Sequence, residues 1–156
     1  MILPLLQDRF SAGLGGLAIA YALPGVLYTL APAPLGRRAD RWGHRRAISA
    51  GLLVSASVYG LLPLLPALGW TALIWSAEAL AYSLYVPALQ ALLTSVAPQQ
   101  QRGAAFSLYS IVAALGAVLA APLGGLLYQH LAPAVPFGLS ALALLAASLV
   151  IRQLRE

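Results

Sequence analysis

Five long stretches of the chain are almost free of charged residues and are rich in Ala and Leu. They cover residues 11–35, 47–66, 70–96, 103–128 and 133–151. Each is long enough to cross a bilayer, which takes about 20 apolar residues in a helix. A membrane β-barrel would instead show segments of about ten residues with alternating polarity, whereas these apolar runs are continuous. We therefore predict an all-α membrane protein with five transmembrane helices.

The composition agrees with a protein whose main solvent is lipid. Of the 156 residues, 61% are hydrophobic and only 8% are charged, against about 25% charged residues in a soluble domain. The net charge of +5 would suggest nucleic-acid binding if the cations lay on a polar domain. Long apolar runs separate them here, so we expect no nucleic-acid partner. The chain has no cysteine, which excludes disulfides and thiolate metal sites.

The arginines predict the orientation in the membrane. Five of the nine cationic residues lie in the segment 36–46, between the first two apolar stretches. Arg102 lies in the connection between the third and fourth stretches, and Arg152 and Arg155 follow the fifth. These segments fall on one side of the membrane, and the other side has only Arg9. By the positive-inside rule, we predict that segment 36–46 and the C-terminus are cytoplasmic, in a bacterial cytoplasmic membrane.

With that orientation, the first apolar stretch begins on the outer side. The chain nevertheless opens with MILPLL, an apolar fragment too short to span a bilayer. We interpret it as the outer stub of a sixth helix whose first part is absent, within a single transmembrane domain of residues 1–156. The alternative is a short interfacial segment, but interfacial helices usually have a polar face, which this fragment lacks.

The arginine-rich segment also carries the pattern G-x-x-A-D-R-x-G-x-R-R. Its fixed residues are Gly36, Ala39, Asp40, Arg41, Gly43, Arg45 and Arg46. The glycines allow a tight turn with positive φ, and the Asp40 carboxylate suits backbone N–H groups or a helix N-terminus. The arginines can pair with Asp40 or with anionic lipid. Orientation alone requires neither the aspartate nor the glycines, so the pattern indicates a further role.

This pattern resembles the loop signature of the major facilitator superfamily, commonly written G-x-L-A-D-R-x-G-R-K or R. Arg38 stands where Leu is usual, and His44 where Arg is usual. In that family the signature lies between the second and third helices of a six-helix half. The resemblance therefore implies one half bundle that lacks most of its first helix. It also implies a gate in which Asp40 and the arginines hold the two halves together in one state; the alternative is a cluster that serves orientation only.

A second, weaker resemblance lies in residues 116–125, GAVLAAPLGG. The fifth helix of a half in that family often carries G-x-x-x-G-P-x-x-G-G, which is associated with antiporters. Ala117, Ala121, Pro122 and Gly125 occupy four of those places. Small residues every four positions also let helix backbones approach closely. We favour this general close packing over an antiport-specific bend.

Glu78 is the one charged residue inside an apolar stretch. A carboxylate at that depth costs several kcal/mol unless it is protonated, paired or hydrated. Tyr82 and Tyr85 follow at i+4 and i+7, so they share its helix face. We predict that Glu78 binds a proton or a cationic substrate in a central cavity lined by these tyrosines. The alternative is a structural carboxyl group bonded to a neighbouring helix. Tyr21, Tyr28 and Tyr59 could also line the cavity, but we favour packing or interface roles, which are commoner for aromatic residues in membrane helices.

The sequence shows no nucleophile–base pair, phosphate-binding glycine loop or metal cluster, so we predict neither an enzyme nor a bound cofactor. The resemblance implies a secondary transporter that works by alternating access. We expect a proton gradient to drive it, and the antiporter-like helix favours export of a small molecule. In the first half of members of that family, the fourth helix often carries an arginine. The helix of Glu78 has none and no long segment follows the fifth stretch, so the resemblance implies the C-terminal half.

The expected partners are the lipid bilayer, a small-molecule substrate, and either the missing half or a second copy of the chain. Two alternatives stay open. A non-transporting membrane scaffold or subunit would not need Glu78 and would co-purify with a stable partner. A half-size homodimeric transporter would form cross-links between copies of its fourth helix.

Overall fold

The computed structural model describes residue 6 and residues 13–153, and this part of the chain forms α-helices joined by short connections. In chain order they are α1 (Leu14–Leu30), α2 (Pro32–Trp42), α3 (His44–Leu61), α4 (Leu68–Val96), α5 (Arg102–His130) and α6 (Val135–Gln153). Short 3₁₀ helices at Leu62–Leu64 and Gln99–Gln101 extend α3 and precede α5. The described residues contain no strand, and the predicted all-α fold class is confirmed.

Four helices, α3 to α6, are long and apolar enough to cross a membrane. Helices α1 and α2 form a fifth candidate if they are taken as one span, but they are bent by 54°. Pro32 explains the break, because it has no N–H to donate to the Tyr28 carbonyl and its ring clashes with that carbonyl. Four to five apolar helices of this length agree with the predicted half bundle of a membrane protein.

Two details predicted for the arginine-rich segment are wrong. Residues 36–42 are not a loop, because they continue as helix α2. Gly36 is therefore helical and does not have positive φ, although the prediction holds for Gly43, at φ 88°. In the described chain Gly43 alone separates α2 from α3, so Asp40 and Arg41 lie on α2 while Arg45 and Arg46 lie on the first turn of α3. The residues predicted to form the gate thus belong to a helix–glycine–helix corner.

Helix α3 lies at the centre of the bundle and packs against both α4 and α6, while α4 also contacts α1 and α2. The largest cluster of buried apolar residues lies near the corner and consists of Ala39, Ala47, Ile48, Leu52 and Ala88. A second cluster, of Val58, Leu62 and Phe137, joins α3 to α6 near the opposite end. Many of these side chains are small, so the helices lie close together, as is typical of membrane bundles.

Helices α3 and α4 approach each other closely at Gly51. A Cβ atom built on Gly51 would lie 2.7 Å from the Tyr85 Cβ and 3.0 Å from the Ala81 carbonyl oxygen. Ordinary contacts between carbon atoms are about 3.5–4.0 Å. Only a residue without a side chain fits at this crossing, and the crossing in turn holds Tyr85 in place.

Helix α5 is attached to the rest of the described bundle much more loosely. Every residue from 110 to 123 is exposed, and Gly124 is its one buried residue. A Cβ on Gly116 or Gly125 would meet no atom within 4 Å, so neither glycine is at a close contact with another described helix. The helix is continuous through Pro122. The assignment of Ala117, Ala121, Pro122 and Gly125 to packing or bending stays a prediction.

The predicted outer stub covers residues 1–6, of which residues 1–5 lie outside the described residues. Leu6 is described and fully buried, in a cluster with Leu17 and Ala20 of α1. The single transmembrane domain over residues 1–156 stays a prediction, and so do the boundaries of its five spans.

Candidate functional site

Glu78 lies in the first half of α4, about 15 Å along the helix from its first residue. Its side chain is only 4% exposed. The neighbouring polar group is Ser55 of α3, which is also buried. Neither the Glu78 Oε2 nor the Ser55 Oγ has a hydrogen-bond partner among the described residues. A buried carboxyl oxygen without a partner is costly, and a proton or a bound ligand would remove that cost.

Aromatic side chains from three helices surround this carboxyl group. Tyr28 of α1, Tyr59 of α3 and Tyr85 of α4 are all near enough to Glu78 for electrostatic interaction. The ring centroids of Tyr82 and Tyr28 are 5.3 Å apart, and those of Tyr82 and Tyr85 are 5.5 Å apart, both in edge-on geometry. The rings of Tyr28, Tyr82 and Tyr85 therefore support one another near the carboxyl group, since edge-to-face pairs at this spacing are favourable.

A cavity of about 630 Å³ opens beside Glu78. Its wall includes Tyr21, Tyr59, Trp75, Glu78, Tyr85 and Ala121. The volume lies in the range of about 300–1,000 Å³ that is typical of small-molecule sites. Apolar and aromatic walls with a single carboxyl group suit a small, largely apolar molecule that carries a positive charge, because aromatic faces attract cations.

The structure brings together some of the predicted site residues and not others. Glu78 and Tyr85 line the cavity, but Tyr82 does not, and it is 42% exposed. Tyr21 and Tyr59 lie in the cavity wall, which agrees with the less favoured of the two predictions made for them. Both lie on helices other than α4, so spacing from Glu78 could not decide between those predictions. Trp75 was missed, although its position at i−3 from Glu78 was a usable signal.

At the corner between α2 and α3, the Asp40 Oδ1 lies 3.9 Å from the His44 Nδ1. This contact crosses Gly43 and joins the end of one helix to the start of the next. The Arg38 guanidinium lies 4.9 Å from the centre of the Trp42 ring, above its face, at a distance typical of a cation–π interaction. The two positions that depart from the family signature, Arg38 and His44, thus both make local contacts at the corner.

Metal binding finds no support in the described part of the chain, where no three His, Cys, Asp or Glu residues lie close enough to hold an ion. The expected lack of a cofactor stays a prediction.

Comparison with protein families adds the decisive observation. The family model of the Major Facilitator Superfamily matches residues 1–156. The chain belongs to the major facilitator superfamily. The resemblance seen in the arginine-rich signature is therefore confirmed. Searches of curated proteins and of solved structures returned no match.

Members of the major facilitator superfamily are membrane transporters, so this chain is an integral membrane transporter and not an enzyme. The lipid bilayer and a small-molecule substrate follow as partners. In a superfamily member, the cavity beside Glu78 is the natural candidate for the substrate site, because transporter sites lie near the membrane midplane between helices.

Proposed function

We propose that this superfamily member exports a small molecule in exchange for protons, by alternating access to the cavity beside Glu78. The observation that carries the proposal is the buried Glu78 carboxyl group, whose Oε2 lacks a partner in a cavity of about 630 Å³. Intramembrane ionisable groups are functional by default, because a purely structural role seldom repays their cost. The alternative is a structural carboxyl group beside the Ser55 hydroxyl of the neighbouring helix α3, and this role would not make transport depend on Glu78.

At the Glu78 carboxyl group, a proton and a positively charged ligand exclude each other. When the cavity is closed to water, the carboxyl group is stable only with a proton or with a positively charged ligand against it. When the cavity opens, water stabilises the charged form and the proton can leave. A proton and a cationic substrate would then take turns at the same oxygen, which couples their movements in opposite directions.

Helix α5 supports two parts of the proposal, namely the direction of transport and the bundle that packs against this one. The antiporter-like residues 116–125 lie on this helix, and its Ala120 and Ala121 form part of the cavity wall, so a shift of α5 would change access to Glu78. Residues 110–123 are exposed along the same helix. We assign this surface to the other half of the transporter, this chain being the C-terminal half, or to a second copy of the chain.

The helix–glycine–helix corner is proposed as the inner gate, on the cytoplasmic side of a bacterial membrane. Asp40 is 66% exposed, so its carboxylate is available to a second bundle as well as to His44. Its role would be to hold the two bundles together in the state that is closed on this side.

The test is proton movement in proteoliposomes that contain the purified protein and a pH-sensitive dye. Ethidium, an aromatic cation, serves as the first probe because the cavity combines tyrosine and tryptophan rings with a carboxyl group. We expect ethidium flux to move protons in the opposite direction. Ethidium transport that moves no protons would contradict proton coupling. No transport of any cationic or neutral probe, with a stable co-purifying partner, would instead support a scaffold.

A further inference from the structure

A separate cleft of about 520 Å³ lies between α3 and α6, at the end of the bundle that carries the arginines. Arg45 and Arg46 line it from the first turn of α3, and Arg152 lines it from the last turn of α6. Three arginines from two different helices thus line one space. Guanidinium groups are well matched to phosphate, because their planar N–H groups bind two oxygens at once.

The cleft has a rigid base of hydrogen bonds. The Arg152 Nε donates to the Ser49 Oγ at 2.7 Å, and the Ser49 and Ser148 hydroxyl oxygens are 2.9 Å apart. The Ser148 hydroxyl also donates to the Ser49 carbonyl oxygen at 3.3 Å. Both serines are buried, at 5% and 1% exposed. One guanidinium group is therefore held in place before any ligand arrives, which lowers the entropy cost of binding.

Beyond the arginines the wall of the cleft becomes apolar, with Ala50, Leu53 and Ile151. Leu53 lies seven residues after Arg46, or about 10 Å deeper along α3. Cationic groups therefore occupy the end nearer the membrane surface, and apolar groups occupy the end within the membrane. A free anion needs only the first part, whereas a phospholipid matches both.

We propose that this cleft binds one anionic phospholipid, with its phosphate between Arg46 and Arg152 and the start of an acyl chain along Leu53 and Ile151. The site differs from the general attraction of basic segments to anionic membranes, because it requires α6 as well as the signature corner. A bound lipid would bridge α3 and α6 and so strengthen the contact that holds α6 to the centre of the bundle.

The experiment titrates the purified protein in detergent with phosphatidylglycerol and counts bound lipids by native mass spectrometry. Arg46→Gln removes one cation of the cleft and leaves the serine network untouched, and Arg152→Gln removes the anchored one. Arg102→Gln is the matched control, since Arg102 is an exposed arginine at the same end of the bundle but outside the cleft. We expect apparent affinity to fall about fivefold with each cleft substitution and to stay unchanged in the control.

Competition experiments with phosphatidylcholine and with inorganic phosphate distinguish an anionic phospholipid from a lipid without net charge and from a free anion. We expect neither to compete for the site at concentrations that match phosphatidylglycerol. Equal loss in Arg46→Gln and Arg102→Gln would overturn the site in favour of diffuse attraction. Competition by inorganic phosphate alone would overturn the lipid assignment. If Arg152→Gln does not fold, Arg46→Gln decides the matter, because its side chain is exposed and outside the serine network.

Discussion

The close contact between α3 and α4 at Gly51 allows us to predict how much the substitution Gly51→Ala destabilises the protein. In Gly51→Ala the new Cβ would lie 2.7 Å from the Tyr85 Cβ and 3.0 Å from the Ala81 carbonyl oxygen. Neither atom is the flexible end of a side chain, so the overlap can be relieved only if the two helices separate. Overpacking of this kind typically costs about 1–3 kcal/mol, which alanine's better helix propensity offsets by about 1 kcal/mol.

We therefore expect a net destabilisation of up to about 2 kcal/mol for Gly51→Ala. For a chain of this size, that lowers the thermal midpoint by up to about 8 °C. The matched control is Gly60→Ala, on the same helix, where a Cβ would meet no atom within 4 Å. This control should be unchanged or slightly more stable, because it gains helix propensity without a clash.

The assay is thermal unfolding of both variants in the same detergent, followed by intrinsic tryptophan fluorescence. The cavity gives a second readout, because Tyr85 lies at the crossing and in the cavity wall, so binding of a transported probe should weaken in Gly51→Ala alone. A Gly51→Ala protein at least as stable as Gly60→Ala would refute the close approach of the two helices.

Three further predictions concern the arginine-rich end of the bundle. Gly43→Ala should destabilise the protein by about 1 kcal/mol, because φ 88° strains any residue with a side chain; thermal unfolding measures this, and an unchanged midpoint would contradict it. Asp40→Asn should slow transport by the intact protein severalfold while insertion is unchanged; unchanged transport would leave only the orientation role. Because the chain has no cysteine, a single Gln100→Cys reports the side of the connection before α5. An impermeant maleimide should label it from the cytoplasm, and labelling from outside would reverse the orientation.

The helical class of this protein was predictable from its sequence because the bilayer imposes it. Long uncharged runs leave the chain no way to satisfy its backbone polar groups except within a helix. Burial of Glu78 was predictable for the same reason, since it lies inside such a run. The positive φ of Gly43 followed from its place at a turn between two apolar segments.

The helical conformation of residues 36–42 could not be read in the same way, because charge and glycine in this segment favour a loop. Packing against neighbouring helices makes this segment helical instead. Ala39 is fully buried against α3 and α4, and a Cβ on Gly36 would lie 3.6 Å from the Pro87 Cβ. The segment thus has one small-residue face that fits against α4, and its arginines lie on the exposed side. Such tertiary contacts override local preference.

Cavity residues that lie on different helices were also hard to predict from the sequence. Helical spacing relates residues on one helix, so Tyr85 was found from Glu78. Tyr21 and Tyr59 reach the cavity from α1 and α3, and their positions depend on how the helices cross. The close contact at Gly51 sets one of these crossings, and no pattern within α4 encodes it.

Glu78→Gln tests the central claim most directly, through the pH dependence of transport in proteoliposomes. Glutamine has nearly the same shape, so the variant should fold, as its thermal midpoint will show, but its side chain cannot take up or release a proton. We predict that a pH gradient no longer drives transport in Glu78→Gln, while it still does in Tyr82→Phe. A Glu78→Gln protein that transports with the pH dependence of the unaltered chain would contradict the account.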